Sequence, residues 1–288
     1  MLQPKSSIQR FEGTFRGAGG LALFYQTWHP PRQARAIALL VHGLGAHSGV
    51  FDNLVSPLVA RDFAVYEFDL RGHGKSAGQR GYIENWSEFR EDLAIFSRLA
   101  RDEQPHCPLF LIGHSLGGLI VLDWALHFPA LARGIVVLSP PLGEVGVSPF
   151  RIRLAHLLSR ILPRFSLSTE FDWSSLSRDA EAIATAQQDS LRHDRATARL
   201  ATELFKTLAE IRDRAAQFEV ALLIQHGSCD RVAFPEGSRQ FFASLTHPDK
   251  ELHEYPGAFH EMHNDLNAAE TIADAIDWLE RHLPPSNT

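Results

Sequence analysis

Leu109-Phe-Leu-Ile-Gly-His-Ser-Leu-Gly-Gly118 is the stretch whose reading decides the fold of this chain. Its first four residues form an apolar run long enough for one buried strand, and the apolar-rich run that continues to Phe128 reads as a helix. Strand, Gly113-His-Ser-Leu-Gly117 and helix, in that order, make a nucleophile elbow. The spacing predicts Ser115 on a strained turn with positive φ, its hydroxyl raised above the sheet edge. A Cβ at either flanking glycine would collide with the neighbouring strand or helix. Leu116 then offers its backbone N–H at the start of the helix, where the dipole favours an anion. The five-residue pattern also occurs by chance as a small-residue turn between buried elements, so its weight depends on what the rest of the chain supplies.

Outward from the elbow, buried runs and amphipathic runs alternate. Ala36 to Val41 is continuously apolar, as a strand buried on both faces must be. It ends at His42-Gly43-Leu44-Gly45. Ser48 to Arg61 carries Val50, Phe51, Leu54, Leu58 and Val59 at helical spacing, and Ala64 to Phe68 is the next strand. It runs into the glycine-punctuated loop Asp69-Leu-Arg-Gly-His-Gly-Lys-Ser76. Trp86, Phe89, Leu93, Phe96 and Leu99 mark a helix for which Ser87 is the expected cap, with Glu88, Glu91 and Asp92 suiting its positive end. Gly134 to Ser139 is another buried strand, stopped by Pro140-Pro141. Residues 11–16 and 21–28, separated by Gly17-Ala-Gly-Gly20, read as an antiparallel hairpin ahead of this series.

The alternation predicts an α/β fold with a mostly parallel sheet flanked by helices. It stops at residue 144. From there to 216 the chain holds helical stretches (Arg151 to Leu162, Ala198 to Ile211) around a loop with Phe165, Phe171 and Trp173, and no convincing buried strand. The rhythm resumes with Val220 to Gln225, a helix around Gly237 to Leu245, a strand at Glu251 to Tyr255 and a helix over about Leu266 to Arg281. The expected organisation is a core of residues 1–143 and 217–288 with a helical cap, 144–216, inserted over the strands' C-terminal ends, the edge at which ligands bind in open α/β sheets.

Composition narrows the function classes. A net charge of −6 argues against nucleic acid as a partner, and the hydrophobic content of 44% with 22% charged residues fits a globular chain. Cys107 and Cys229 make no disulfide framework. The first ten residues carry no apolar signal segment, and no run approaches the roughly 18 apolar residues that span a bilayer, so a cytoplasmic location is expected. Asn85-Trp86-Ser87 matches a glycosylation acceptor by chance on that reading. No metal is expected: His260-Glu-Met-His263 lacks the i, i+4 histidine pair of a zinc-protease helix, and no phosphate loop follows Gly117-Gly118.

A serine hydroxyl needs a base to take its proton and a carboxylate to orient that base. On this architecture the order is Ser, acid, His, with the acid after a late strand and the histidine after the last. Asp230 stands in His226-Gly-Ser-Cys-Asp-Arg-Val232, behind the strand that ends near Gln225. His260 stands in Pro256-Gly-Ala-Phe-His260, behind the strand that ends at Tyr255. Either alone is weak: a loop Asp is usually a turn former, and among 15 histidines one after a strand is expected by chance. Glu144, a few residues after the strand at 134–139, is the rival acid. The second oxyanion donor should come from the loop behind 36–41, which assigns the N–H groups of Leu44 and Leu116. His42, His73 and His114 sit in glycine-bounded turns and read as structural.

These motifs together resemble the monoacylglycerol lipase and lysophospholipase group of α/β-hydrolases. The resemblance rests on His42-Gly-Leu-Gly-Ala-His-Ser48, Asp69-Leu-Arg-Gly-His-Gly-Lys-Ser76, Gly113-His-Ser-Leu-Gly-Gly118, Leu222-Leu-Ile-Gln-His-Gly-Ser-Cys-Asp-Arg231 and Gly257-Ala-Phe-His260, and spans nearly the whole chain. It implies Ser115, Asp230 and His260 as triad, Leu44 and Leu116 as oxyanion donors, no cofactor, and a cap over an acyl tunnel. Leu154, Leu158 and Phe171 are the candidate tunnel residues, and the cap's apolar surface allows a transient, peripheral contact with a membrane. The implied activity is hydrolysis of lipid esters, monoacylglycerol first. A lysophospholipase, a broad carboxylesterase, a cofactor-free perhydrolase and a non-catalytic small-molecule receptor on the same scaffold remain as other readings. Ser115 in place of Asp argues against epoxide hydrolases and haloalkane dehalogenases.

Overall fold

A computed structural model describes residues 8–143, 149–169 and 172–285. The strands are β1 (Gln9–Arg16), β2 (Ala22–His29), β3 (Ala36–Val41), β4 (Phe63–Phe68), β5 (Leu109–His114), β6 (Gly134–Leu138), β7 (Ser166–Ser168), β8 (Arg195–Thr197), β9 (Leu222–Gly227) and β10 (Lys250–Tyr255). The α-helices are α1 (Asp52–Ala60), α2 (Ser87–Glu103), α3 (Leu116–His127), α4 (Pro149–Ile161), α5 (Ala180–Gln188), α6 (Ala198–Asp213), α7 (Pro235–Ser244) and α8 (Ala268–Arg281).

Eight strands form one sheet in the order β1-β2-β4-β3-β5-β6-β9-β10. β1 pairs antiparallel with β2, and β2 antiparallel with β4. Every later pairing is parallel. Parallel strands point their C-terminal ends to one edge, so the loops behind β3, β5, β9 and β10 gather there. β3 shows why the runs are continuously apolar. Ile37, Leu39 and Val41 face one core cluster, shared with Phe89 and Phe96 of α2 and Trp124 of α3. Ala36, Ala38 and Leu40 face the other, shared with Leu54 and Leu58 of α1 and Ile276 of α8. Period-2 alternation thus feeds two cores. α8 buries Ile272, Ala275, Ile276 and Leu279, one stripe of a 3.6-residue period. The central α3 is buried from Leu116 to Ala125 and is apolar on nearly every side, its one buried charge, Asp123, being paired with Arg90 at 2.9 Å.

Between β6 and β9 lie α4 to α6 and the two-stranded antiparallel sheet β7-β8. α6 joins the main core through Leu200, Leu208 and Ile211, so this block is not merely laid over the sheet. The short ladder β7-β8 was not expected. Its strands have three residues each, too few for any periodicity to register.

Two local expectations are corrected. Ser87 is not the cap of α2: the preceding Trp86 is already in helical conformation (φ −61°, ψ −31°), and no side chain caps this end. The amide hydrogen bonds Glu88 N–H to Asn85 O and Phe89 N–H to Trp86 O start the helix through a tight turn. The face expected as one helix from Ser48 begins as a 3-10 turn, Ser48–Phe51, before α1. His47 caps this turn by accepting a hydrogen bond from Gly49 N–H at 3.1 Å. Glu144 and Phe171 lie outside the described residues, as does the side chain of Leu154.

Candidate active site

Ser115 occupies the turn between β5 and α3 with φ 52° and ψ −119°, a left-handed conformation that non-glycine residues rarely hold. The two glycines of the elbow permit it. A Cβ on Gly117 would overlap the carbonyl oxygen of Val41, and one on Gly113 would press on Gly117 and Gly118. Strand β3 and helix α3 therefore approach closer than any side chain allows, which leaves Ser115 half-exposed at the sheet edge.

Asp230 and His260 meet. His260 Nδ1–H donates to Asp230 Oδ2 at 2.7 Å, and both residues are buried. With Nδ1 so engaged, Nε2 is the basic nitrogen. The other carboxylate oxygen, Oδ1, accepts from Val232 N–H at 2.8 Å and Ala233 N–H at 2.9 Å. His226, four residues before Asp230, adds Nε2 at 3.3 Å from Oδ2. Burial alone would push the Asp230 carboxyl up. The facing His260 and the hydrogen bonds from His226 and His260 outweigh it and hold the group well below the usual carboxylate range.

The histidine loop reaches the elbow through His114. Its ring centroid lies 4.9 Å from that of His260, and its Nε2–H donates to the His260 carbonyl at 3.2 Å. Burial drives the His114 imidazole well below its ordinary value, so it stays neutral as a donor. His42 likewise serves the backbone: Nδ1–H donates to Gly43 O at 2.8 Å while Nε2 accepts from Leu70 N–H at 2.9 Å. Burial pushes it down to about 3. Gly43 packs against the Ser115 Cβ, which brings the loop behind β3 to the nucleophile candidate. Among the described residues the N–H groups of Leu44 and Leu116 have no hydrogen-bond partner. They are free to receive an anion, and Leu116 opens the 12-residue α3.

The chain is similar to known proteins over nearly its whole length. Residues 32–267 match the family model described as serine aminopeptidase, S33. The chain belongs to this family. Family relatives include a monoacylglycerol lipase of Mycolicibacterium smegmatis, 31% identical over 96% of this chain and 99% of that one. The human monoglyceride lipase is 30% identical over 94% of this chain and 91% of the other. Among solved structures, the monoacylglycerol lipase of Paleococcus ferrophilus superposes with a TM-score of 0.82 at 33% identity, covering 96% of this chain and 99% of that one. A soluble variant of the Saccharomyces cerevisiae monoglyceride lipase, with a TM-score of 0.84 at 23% identity over 98% of this chain and 96% of that one, shares the fold. The chain is an α/β-hydrolase and, with these lipases as relatives at 30% identity and above, a serine ester hydrolase.

Two contributors to the site are not singled out by the sequence motifs. His226 stands in the motif only as part of the Asp230 loop, although its i, i+4 spacing to Asp230 is a signal the sequence carries. Glu261 enters the sequence reading only within His260-Glu-Met-His263, and in the structure it pairs with Arg192: Nη1–H donates to Oε1 at 2.7 Å and Nη2–H to Oε2 at 3.1 Å. Among the described residues no group of three or more His, Cys, Asp or Glu is arranged to hold a metal ion, and no helix is long and apolar enough to cross a membrane.

Proposed function

We propose that Ser115 is the nucleophile, His260 the base and Asp230 the orienting acid of an ester hydrolase whose substrates are monoacylglycerols. The observation that carries the reading is the buried 2.7 Å His260–Asp230 hydrogen bond at the sheet edge that also bears the strained Ser115. His260 Nε2 removes the Ser115 proton as Oγ attacks the ester carbonyl, and the N–H groups of Leu44 and Leu116 hold the oxyanion. His260 then gives its proton to the departing glycerol oxygen. Water attacks the acyl-serine by the same route, releasing the fatty acid and restoring Ser115. The named activities of the relatives support monoacylglycerol as the substrate class.

Residues 144–216 form the cap on this reading, with Leu154, Leu158 and Phe171 as tunnel residues; of these, Leu158 is half-buried. The cap also carries an outward apolar surface. Leu157, Ile161, Leu162, Phe165 and Leu167 are between 45% (Phe165) and 64% (Ile161) exposed. Arg153, Arg160 and Arg164 are exposed among them. Apolar anchors with basic neighbours suit a transient contact with an anionic membrane surface, from which a lipid ester would enter.

The test is hydrolysis of monoacylglycerols, lysophospholipids and p-nitrophenyl esters graded by chain length, together with fluorophosphonate labelling of Ser115. The proposal expects labelling and best kcat/KM on medium- or long-chain monoacylglycerols. Preference for lysophospholipids would move the head group, best activity on acetyl esters would remove the lipase reading, and absence of labelling would favour a receptor.

A further inference from the structure

The loop that presents His260 is held by the core through Cys229 N–H to Ala258 O at 3.0 Å, Gly257 N–H to Ser228 Oγ at 2.8 Å and the His114 bond to the His260 carbonyl. It has further anchors on both sides of His260. On one side, Phe259 N–H donates to Asp265 Oδ2 at 2.8 Å. On the other, both anchors of Glu261 come from between β6 and β9. Its N–H donates to Leu176 O at 2.7 Å, and its carboxylate takes the bidentate Arg192 guanidinium. The pair is almost sealed, with side-chain exposures of 9% and 6%. Burial would raise the Glu261 carboxyl, but Arg192 outweighs it and keeps the group well below the usual carboxylate range. Asn264 Nδ2, from the segment after β10, is a second donor to Oε2, at 3.2 Å.

The same short turn grips the oxyanion loop. His193 N–H donates to Gly45 O at 2.9 Å, and His47 Nε2 lies 2.6 Å from Asp189 Oδ2. A Cβ on Gly45 would overlap the His193 carbonyl oxygen, so the two segments touch backbone to backbone. Residues 189–193 therefore hold, within five positions, the loop of the candidate base and the loop of a candidate oxyanion donor.

We propose that the turn 189–193 is a positioning element for the chemistry and that Arg192 is its positioning residue: through Glu261 it sets where His260 stands relative to Ser115. Planar, two-point recognition fixes an orientation as well as a distance, which a lone ammonium does not. The inference rests on the triad assigned above. A merely structural pair would hold the cap down and nothing more.

The experiment compares wild type, R192M, R192K and the double variant R192M/E261M on p-nitrophenyl acetate, which is too short to fill an acyl tunnel, and on a long-chain monoacylglycerol, with Tm recorded for each. R192M should lower kcat on both substrates by on the order of 10²-fold with KM unchanged, the scale of a small misplacement of a catalytic group. R192K should recover part of the loss. The double variant removes the unpaired buried charge, so it should fold with a Tm near wild type, yet its kcat should stay low. Recovery of wild-type kcat in the double variant, or a loss confined to KM for the long-chain ester, would overturn the proposal. R192K keeps the charge and reports even if R192M is unstable: wild-type kcat there also overturns it. Fluorophosphonate labelling of the wild type keeps the two readings apart. Without labelling the triad fails; with labelling, and R192M labelled at the wild-type rate, only the positioning role fails.

Discussion

Ser115 holds a φ of 52° that the elbow glycines make available, and its hydroxyl is the group on which the proposed chemistry turns. Ser115→Ala should fold normally and lose on the order of 10⁶ in kcat on any ester, measured beside thermal unfolding. Several per cent of residual activity would remove the serine from the mechanism. Asp230→Asn should cost on the order of 10⁴ in kcat, because the imidazole loses the acceptor that fixes its tautomer. Glu144→Gln should cost far less; the reverse order would exchange the two acids. At this scale the chain-order rule reads Ser115, Asp230 and His260 from sequence because each is adjacent to a recognisable strand end. His226 and Arg192 are invisible to it, because their importance lies in the side chains they touch.

Elements carry their own strain. Gly117 lies where β3 and α3 cross most closely, so Gly117→Ala should destabilise by about 3 kcal/mol, the scale of an overpacked core site, and a denaturant titration would read it. Strand β4 buries a carboxyl, Glu67, with no exposure. Burial pushes it well above its ordinary value, with Asp52 and Asp69 adding to the shift and Gln26 opposing it through a 3.1 Å hydrogen bond. A group protonated when folded and ionised when unfolded takes stability away as pH rises above its unfolded value of about 4.3. Glu67→Gln should therefore raise Tm at pH 8, with the gain shrinking toward pH 4. An equal change in Tm at both pH values would mean the carboxyl is ionised in the fold. Elements read well from sequence where they are long. Ser87 shows the failure: the residue type suits a cap, but Trp86 enters the helix first and leaves the serine inside it.

For the molecule as a whole, the open question is how a chain of net charge −6 meets an apolar ester. On the proposed reading, the outward apolar face of residues 157–167 would serve a surface encounter. Each buried methylene is worth about 0.8 kcal/mol, so kcat/KM should rise with acyl length until the proposed tunnel is full and then level off. Replacing Ile161 and Leu162 together by Ser should lower the rate on long-chain monoacylglycerol presented in anionic vesicles and leave the rate on a soluble short-chain ester intact. Equal losses on both would place those residues in the fold instead.

The amino-acid sequence by itself determined the strand series, the two-sided burial of the sheet, the elbow and the order in which Ser115, Asp230 and His260 follow their strands. These depend on runs of neighbouring residues, where periodicity and turn chemistry act locally. Only the tertiary structure decided that Arg192 reaches Glu261, 69 positions away, that Asp189 meets His47 across 142, and that α6 lends its apolar stripe to the main core. Charged partners at such separations carry no periodic signal. They are chosen by where the block between β6 and β9 docks, and that docking is set by the summed packing of side chains from both sides rather than by any one stretch.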